Sequence, residues 1–300
     1  MARVLLITSP VAARTSESAG DRVALALART GWRVDRADTA RVEDARRFAA
    51  EGVASGVDAV AVFGGDGTTM QAAASLVGTG VPLGLIPGGT GNLLAGNLRI
   101  PTSLIAAAKA VTHGKPRQID IGRVDLSDGA HYFGVACGAG VDARVMGETQ
   151  TADKRRWGIG AYIATTLRIL PQLKSVDCRI TVDGHSLEAP AVVILILNCA
   201  EIIPRLIRVR PEIRIDDGVL DLLVIAADSP AQAVRSLLRV LRNSVGSRRE
   251  TSYLRYARGR EFRIETAATL PVQFDGDPVG ATPFCAKVLP GALTVMVPGS

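Results

Sequence analysis

The sequence predicts an α/β fold: a parallel-sheet domain over residues 1–118, then a mostly antiparallel β domain over residues 119–300, with the last strand able to return to the first domain. Three observations predict it. Short apolar runs alternate with helix-spaced segments through roughly the first 117 residues. Beyond that, strand-like runs follow one another with turns and few helices between them. Hydrophobic residues make up 47% of 300 and aromatics only 4%, so the core is built from Ala, Val, Leu and Ile in packed layers.

The elements follow in order. Arg3–Ile7 is a short apolar run ending at Ser9-Pro10, as a buried strand would. Ser18–Arg29 has helical spacing, Trp32–Arg36 reads as a second strand, and Val42–Ala54 is an amphipathic helix. Asp58–Phe63 is nearly continuous in apolar residues, as expected of a central parallel strand. Met70–Leu76 reads as a helix, Pro82–Ile86 as a strand, a short helix follows Asn92, and Ser103–Val111 is a further helix. In the second half, strands are expected at Gln118–Val124, His131–Ala136, Cys178–Val182, Ala191–Asn198, Leu220–Ile225, Glu261–Thr266, Pro271–Asp275, Ala286–Leu289 and Leu293–Val297. Val182-Asp183-Gly184 is a hairpin signal. Helices are expected at Gly160–Leu170 and Pro230–Val245. No internal repeat or low-complexity segment is visible.

The formal net charge of +6 favours anionic partners, among them nucleotides, nucleic acid and acidic membranes, without choosing between them. Cys137, Cys178, Cys199 and Cys285 lack CxxC spacing and read as core residues of a reduced, cytoplasmic protein. The start, MARVLLITSP, does not read as a signal peptide, and no apolar run approaches the roughly 20 residues of a membrane span. Membrane contact is therefore expected to be peripheral. Between residues 231 and 260 stand Arg235, Arg239, Arg242, Arg248, Arg249, Arg255, Arg258 and Arg260. Such a segment suits an anionic lipid surface or a solvated basic face. Nucleic acid is not expected, because no recognised motif accompanies these arginines. His113, His131 and His185 lack ligand-spaced partners, and no Ser-His-Asp or Cys-His arrangement is evident.

Gly64-Gly65-Asp66-Gly67-Thr68-Thr69 follows a strand and leads into a helix. Ligands of α/β sheets bind there, outside the carboxyl ends of the strands. Glycines admit close approach of phosphate oxygens, and a helix N-terminus presents free N–H groups to an anion. Asp66 would repel a bare phosphate, which points to a bridging Mg²⁺. A plain βα turn is the alternative for this loop taken alone. A second loop, Pro87-Gly88-Gly89-Thr90-Gly91-Asn92, follows the next strand. Two such loops at adjacent strand ends make a structural coincidence harder to sustain. Neither is a Walker A or a GxGxxG fingerprint.

GGDGTT at 64–69, PGGTGN at 87–92, DDGVLD at 216–221 and DGDP at 275–278 together resemble the diacylglycerol kinase catalytic domain family, which includes bacterial lipid kinases and sphingosine kinases. The resemblance covers the chain in order, and the first two motifs are the specific ones. It implies a nucleotide domain followed by a β-sandwich, and an ATP- and Mg²⁺-dependent kinase acting on a lipid hydroxyl, diacylglycerol or similar. Ser9, Gly64, Gly65, Gly67, Thr68, Gly89, Thr90 and Asn92 would then bind ATP. Asp66, with Asp120 of QIDIG, would serve the Mg²⁺ network, and Asp217 would hold a structural metal. Lys154, Arg155 and Arg156 would add positive charge near the nucleotide. Asp277 would be the general base and Asp275 would orient it or hold metal, although DGD also reads as a hairpin turn.

Three departures are visible. Leu93 stands where bacterial members often carry Asp. Ser9-Pro10 replaces Asn-Pro, and Asp277 replaces the family Glu. An NAD kinase-like enzyme, or a non-catalytic nucleotide- or lipid-binding protein, is the alternative, and a homodimer stays open.

Overall fold

The computed structural model describes residues 1–10, 12, 15–126, 129–140, 175–205, 207–226 and 254–299. The chain forms two compact units, Met1–Ile119 with Gly291–Ser300, and Asp120–Pro290. The expected helices Gly160–Leu170 and Pro230–Val245, Lys154–Arg156, and Arg235 to Arg249 lie outside the described residues. Among the described residues no helix is long and apolar enough to cross a membrane.

The first unit alternates strand and helix: β1 (Arg3–Thr8), α1 (Glu17–Ala28), β2 (Arg33–Asp38), α2 (Asp44–Ala54), β3 (Ala59–Gly64), α3 (Asp66–Leu76), β4 (Leu83–Pro87), α4 (Leu93–Asn97) and α5 (Leu104–His113). The strands lie parallel in the order β2-β1-β3-β4. β3 and β4 are buried throughout, which explains their unbroken apolar runs. β2 is an edge, and its RVDRAD sequence leaves charge on it. Ser16 caps α1 by accepting the Ala19 N–H. α3 begins at Asp66, four residues before the expected Met70. Extended Gly65 is its N-cap, and an acidic residue in the first turn complements the helix dipole.

The second unit is antiparallel. β5 (Lys115–Leu126) carries the chain into it and pairs with β6 (Gly129–Phe133). β7 (Ala136–Gly140), β8 (Val176–Val182), β9 (His185–Ala191), β10 (Val193–Leu197), β11 (Glu201–Ile203), β12 (Ile207–Arg208), β13 (Leu220–Ile225), β14 (Leu254–Gly259), β15 (Glu261–Thr266), β16 (Pro271–Phe274), β17 (Asp277–Ala281) and β18 (Phe284–Val297) complete it. One sheet runs β14-β13-β10-β7-β16-β17, and another pairs β18, β15, β8 and β9. Ile180, Phe262, Ile264 and Phe284 of the latter share one core with Ile194, Leu222, Val272 and Phe274 of the former. β15 alternates outward and inward residues, whereas β7 and β13 are buried throughout; two sheets sharing one core are the pattern of a β-sandwich. The far end of β18 pairs parallel with β4, Val295 opposite Leu83.

Some elements differ from expectation. His131–Ala136 is two strands, parted at Gly134-Val135. Ala286–Leu289 and Leu293–Val297 are one strand, because exposed Pro290 and half-buried Gly291 (φ 58°) bend it without ending it. β9 and β14 carry too few apolar residues to be read as strands, and pairing with β8 and β13 forms them. The hairpin at Asp183-Gly184 stands: both have positive φ, 47° and 86°, and Val182 pairs with His185.

Gly122 of β5 faces Phe133 of β6, and a Cβ there would lie 2.1 Å from the Phe133 Cζ. That ring is fully buried and has no room to retreat. Gly122→Ala is therefore expected to destabilise the protein by about 1–3 kcal/mol in urea unfolding, with partial recovery in Gly122→Ala/Phe133→Leu.

Candidate functional site

In the first unit β3 and β4 end side by side, Gly64 opposite Pro87. The Gly64 carbonyl accepts the Gly88 and Gly89 N–H groups at 2.9 and 3.1 Å, drawing the two loops together. The contact requires glycine: a Cβ on Gly89 would sit 2.7 Å from the Gly65 Cα. A Cβ on Gly91 would sit 2.6 Å from Asp66 Oδ2. Asn92, at φ 48°, clamps the second loop. Its Oδ1 accepts the Gly89 N–H at 3.0 Å and its Nδ2 donates to the Gly89 carbonyl at 2.7 Å.

Thr69 N–H is the first to bond within α3, to Gly65, and the helix has no side-chain cap. The N–H groups of Asp66, Gly67 and Thr68 thus head the helix in its first turn, where an anion is favoured. Asp66 Oδ1 accepts the Leu93 N–H at 2.6 Å, tying the first loop to α4. Its carboxylate is a hard oxygen ligand beside an anion site, which fits a hydrated Mg²⁺ carrying phosphates. Ser9 is buried. Its N–H donates to Phe63 and its carbonyl accepts the Thr15 hydroxyl, so it braces the end of β1. Thr90 is exposed at the loop tip.

In the second unit Asp275-Gly276 closes the β16–β17 hairpin with positive φ at both residues, 49° and 95°. The hairpin turn that the Asp-Gly pair signals is therefore formed. Asp275 Oδ1 accepts Val135 and Ala136 N–H at 2.8 Å each, and Oδ2 accepts Gly134 N–H at 2.7 Å. This is the bend that parts β6 from β7. Asp277 is exposed at the head of β17. Asn198, fully buried, donates through Nδ2 to the Asp120 and Gly134 carbonyls, at 2.8 and 2.9 Å. Asp120 is buried, and its Oδ2 accepts the Gly218 N–H at 2.6 Å. Asp217 Oδ2 accepts from the Arg258 guanidinium. Among the described residues no three His, Cys, Asp or Glu side chains group to hold a metal.

Gly64, Gly65, Asp66, Gly67, Thr68, Gly89, Thr90, Asn92 and Ser9 thus fall in one unit, and Asp120, Asp217, Asp275 and Asp277 in the other. Asn198 and Arg258 carry little sequence signal as site residues: the first is an asparagine directly after the apolar run Val193–Leu197, and the second is one arginine among several between residues 231 and 260.

Two family models match the chain, the diacylglycerol kinase catalytic domain over residues 3–124 and the YegS C-terminal NAD kinase beta sandwich-like domain over residues 135–297. A diacylglycerol kinase of Mycobacterium tuberculosis is 30% identical over 259 residues, covering 85% of this chain and 82% of that protein. A Klebsiella pneumoniae protein named "Probable lipid kinase YegS-like" is 30% identical over 257 residues, covering 85% and 83%. The fold is also that of a crystal structure of a Bacillus anthracis diacylglycerol kinase, with TM-score 0.73, 21% identity and coverage of 98% and 96%.

Burial pushes the Asp275 carboxyl up to about 6, outweighing the three N–H donors that pull it down, while the charge of Asp277 adds to the rise. The folded value lies above the unfolded one, about 4, so the native state holds the extra proton. The stability this contributes is complete below about pH 4 and is lost as pH rises through about 6. Urea unfolding across pH 3.5–7 should show a slope in the wild type that Asp275→Asn reduces, the remainder belonging to Asp221, which burial also raises to about 6. An identical slope in both would place the titration elsewhere.

Proposed function

We propose, for a chain that belongs to the diacylglycerol kinase family and is thereby a lipid kinase, that ATP is its phosphoryl donor and the hydroxyl of diacylglycerol or a similar lipid its acceptor. The observation that supports this most is the pair of glycine loops drawn together over the uncapped N-terminus of α3.

Phosphoryl transfer asks the protein for positioning and charge stabilisation more than for covalent chemistry. The N–H groups at the head of α3 and the Thr68 hydroxyl bind the phosphates, and Gly65 and Gly89 let them approach the backbone. Asn92 holds the second loop in place, with Thr90 at its tip and Ser9 bracing the floor. Asp66, fixed by the Leu93 N–H, would hold Mg²⁺. The ion would supply positive charge on the β- and γ-oxygens. Asp277 accepts the proton of the lipid hydroxyl through its carboxylate. Asp275 acts through the backbone: its bonds to Gly134, Val135 and Ala136 set the hairpin that carries Asp277. The lipid's apolar tails place the reaction at a cytoplasmic, anionic membrane surface to which the protein binds peripherally.

The test is transfer of labelled phosphate from ATP to lipids in mixed micelles with Mg²⁺, with NAD as a control acceptor. Asp277→Asn should lower kcat by about 10²–10⁴-fold with ATP binding retained. Asp66→Ala should lose transfer as well. Labelled NAD in place of labelled lipid, or undiminished transfer by Asp277→Asn, would overturn the corresponding assignment.

Gly89→Ala drives a Cβ against the Gly65 backbone and parts the loops. It is expected to weaken ATP binding by at least about tenfold in calorimetry, the equivalent of 1.4 kcal/mol. Unchanged affinity would mean that the paired loops are not the ATP site.

A further inference from the structure

The resemblance implies a structural metal ion on Asp217 in the DDG turn, and the residues around Asp217 do not fit one. Arg258 lies directly across the β13–β14 ladder from Asp221, so the pairing register itself delivers its side chain to this turn. Its Nη2 bonds Asp217 Oδ2, and its Nε lies 3.6 Å from Asp221 Oδ1. Asp221 is 1% exposed and its Oδ1 also accepts the Tyr256 hydroxyl. The Arg210 guanidinium stands 3.9 Å over the Tyr256 ring. The next amide of the turn, Gly218 N–H, is directed to Asp120. A Ca²⁺ ion needs six to eight oxygen ligands and Mg²⁺ a near-octahedral set. Here both carboxylates face a guanidinium, which would repel a divalent ion at contact distance.

We propose that Arg258 is the cation of the DDG turn, bridging Asp217 and Asp221 in place of a structural metal, so that the second unit folds without a divalent ion. A planar, permanently charged fork suits this task. It spans two carboxylates, and its charge cannot be removed by a chelator. The inference is independent of the kinase reading, since it concerns how the turn is closed and not what the enzyme transfers.

The experiment uses the full chain. Metal content is measured by mass spectrometry, and melting is followed in EDTA and in millimolar Mg²⁺ or Ca²⁺, beside Arg258→Met, Arg258→Lys and Asp217→Asn. The wild type should carry no stoichiometric divalent ion and melt equally with and without EDTA. Arg258→Met, which strands two carboxylates, should melt about 4–8 °C lower, with Arg258→Lys between the two. A Mg²⁺ response retained in Asp217→Asn arises away from this turn and leaves the assignment standing. One bound ion per chain that Asp217→Asn releases would overturn it, as would an EDTA-induced drop that Asp217→Asn abolishes. An Arg258→Met protein that melts with the wild type would overturn it too. If Arg258→Met does not fold, the wild-type metal content and EDTA melt still decide.

Discussion

Backbone N–H groups left over where strands end and turns begin must find an acceptor, and in this chain aspartate carboxylates supply it. Asp44 accepts from Ala40 and Arg41, Asp58 from Arg3, and Asp66 from Leu93. In the second unit Asp120 accepts from Gly218, Asp183 from Arg260 and Glu261, and Asp275 from Gly134, Val135 and Ala136. A buried donor left unpaired costs about 1–3 kcal/mol, so the part-buried bonds to Asp66, Asp120 and Asp275 fix bends that would otherwise find another shape. Aspartate suits the work because its short side chain has few rotamers to lose and two oxygens to offer.

The same bonding pattern has opposite electrostatic results at different depths. Asp44, at the surface, is pulled down to about 2 by its two backbone donors, with Arg47 adding to the effect. Asp275 has three such donors and is nonetheless pushed up to about 6, because its carboxylate has left water behind. Asp221 reaches about 6 for the same leading reason, with Arg258 working against the rise. For these three acids the direction of the shift follows burial and not the number of hydrogen bonds.

Position 93 shows how a family departure can be absorbed. Many bacterial relatives are expected to carry Asp there, and this chain has Leu93. What reaches Asp66 is the Leu93 backbone N–H, which any residue but proline supplies. The tie between the two loops therefore survives the loss of that carboxylate. The DDG turn is a second case, in which a guanidinium delivered by strand register meets the acids of the turn.

By itself the sequence determined the order of the α/β strands and helices, the antiparallel character of the second half, and the two glycine loops. Those features rest on local chemistry: apolar period, turn residues and glycine's freedom from a Cβ. Even the Asp183-Gly184 and Asp275-Gly276 hairpins were legible as turn pairs. Strands such as β9 and β14 were not, because pairing with a neighbour makes them strands and their own composition does not. Tertiary structure alone decided that Asp275 grips a bend 139 residues away and more, that Asn198 joins Asp120 to that bend, and that Arg258 faces Asp217 and Asp221. A side chain's partner is set by which strands lie side by side, and that proximity leaves no trace in the spacing of residues along the chain.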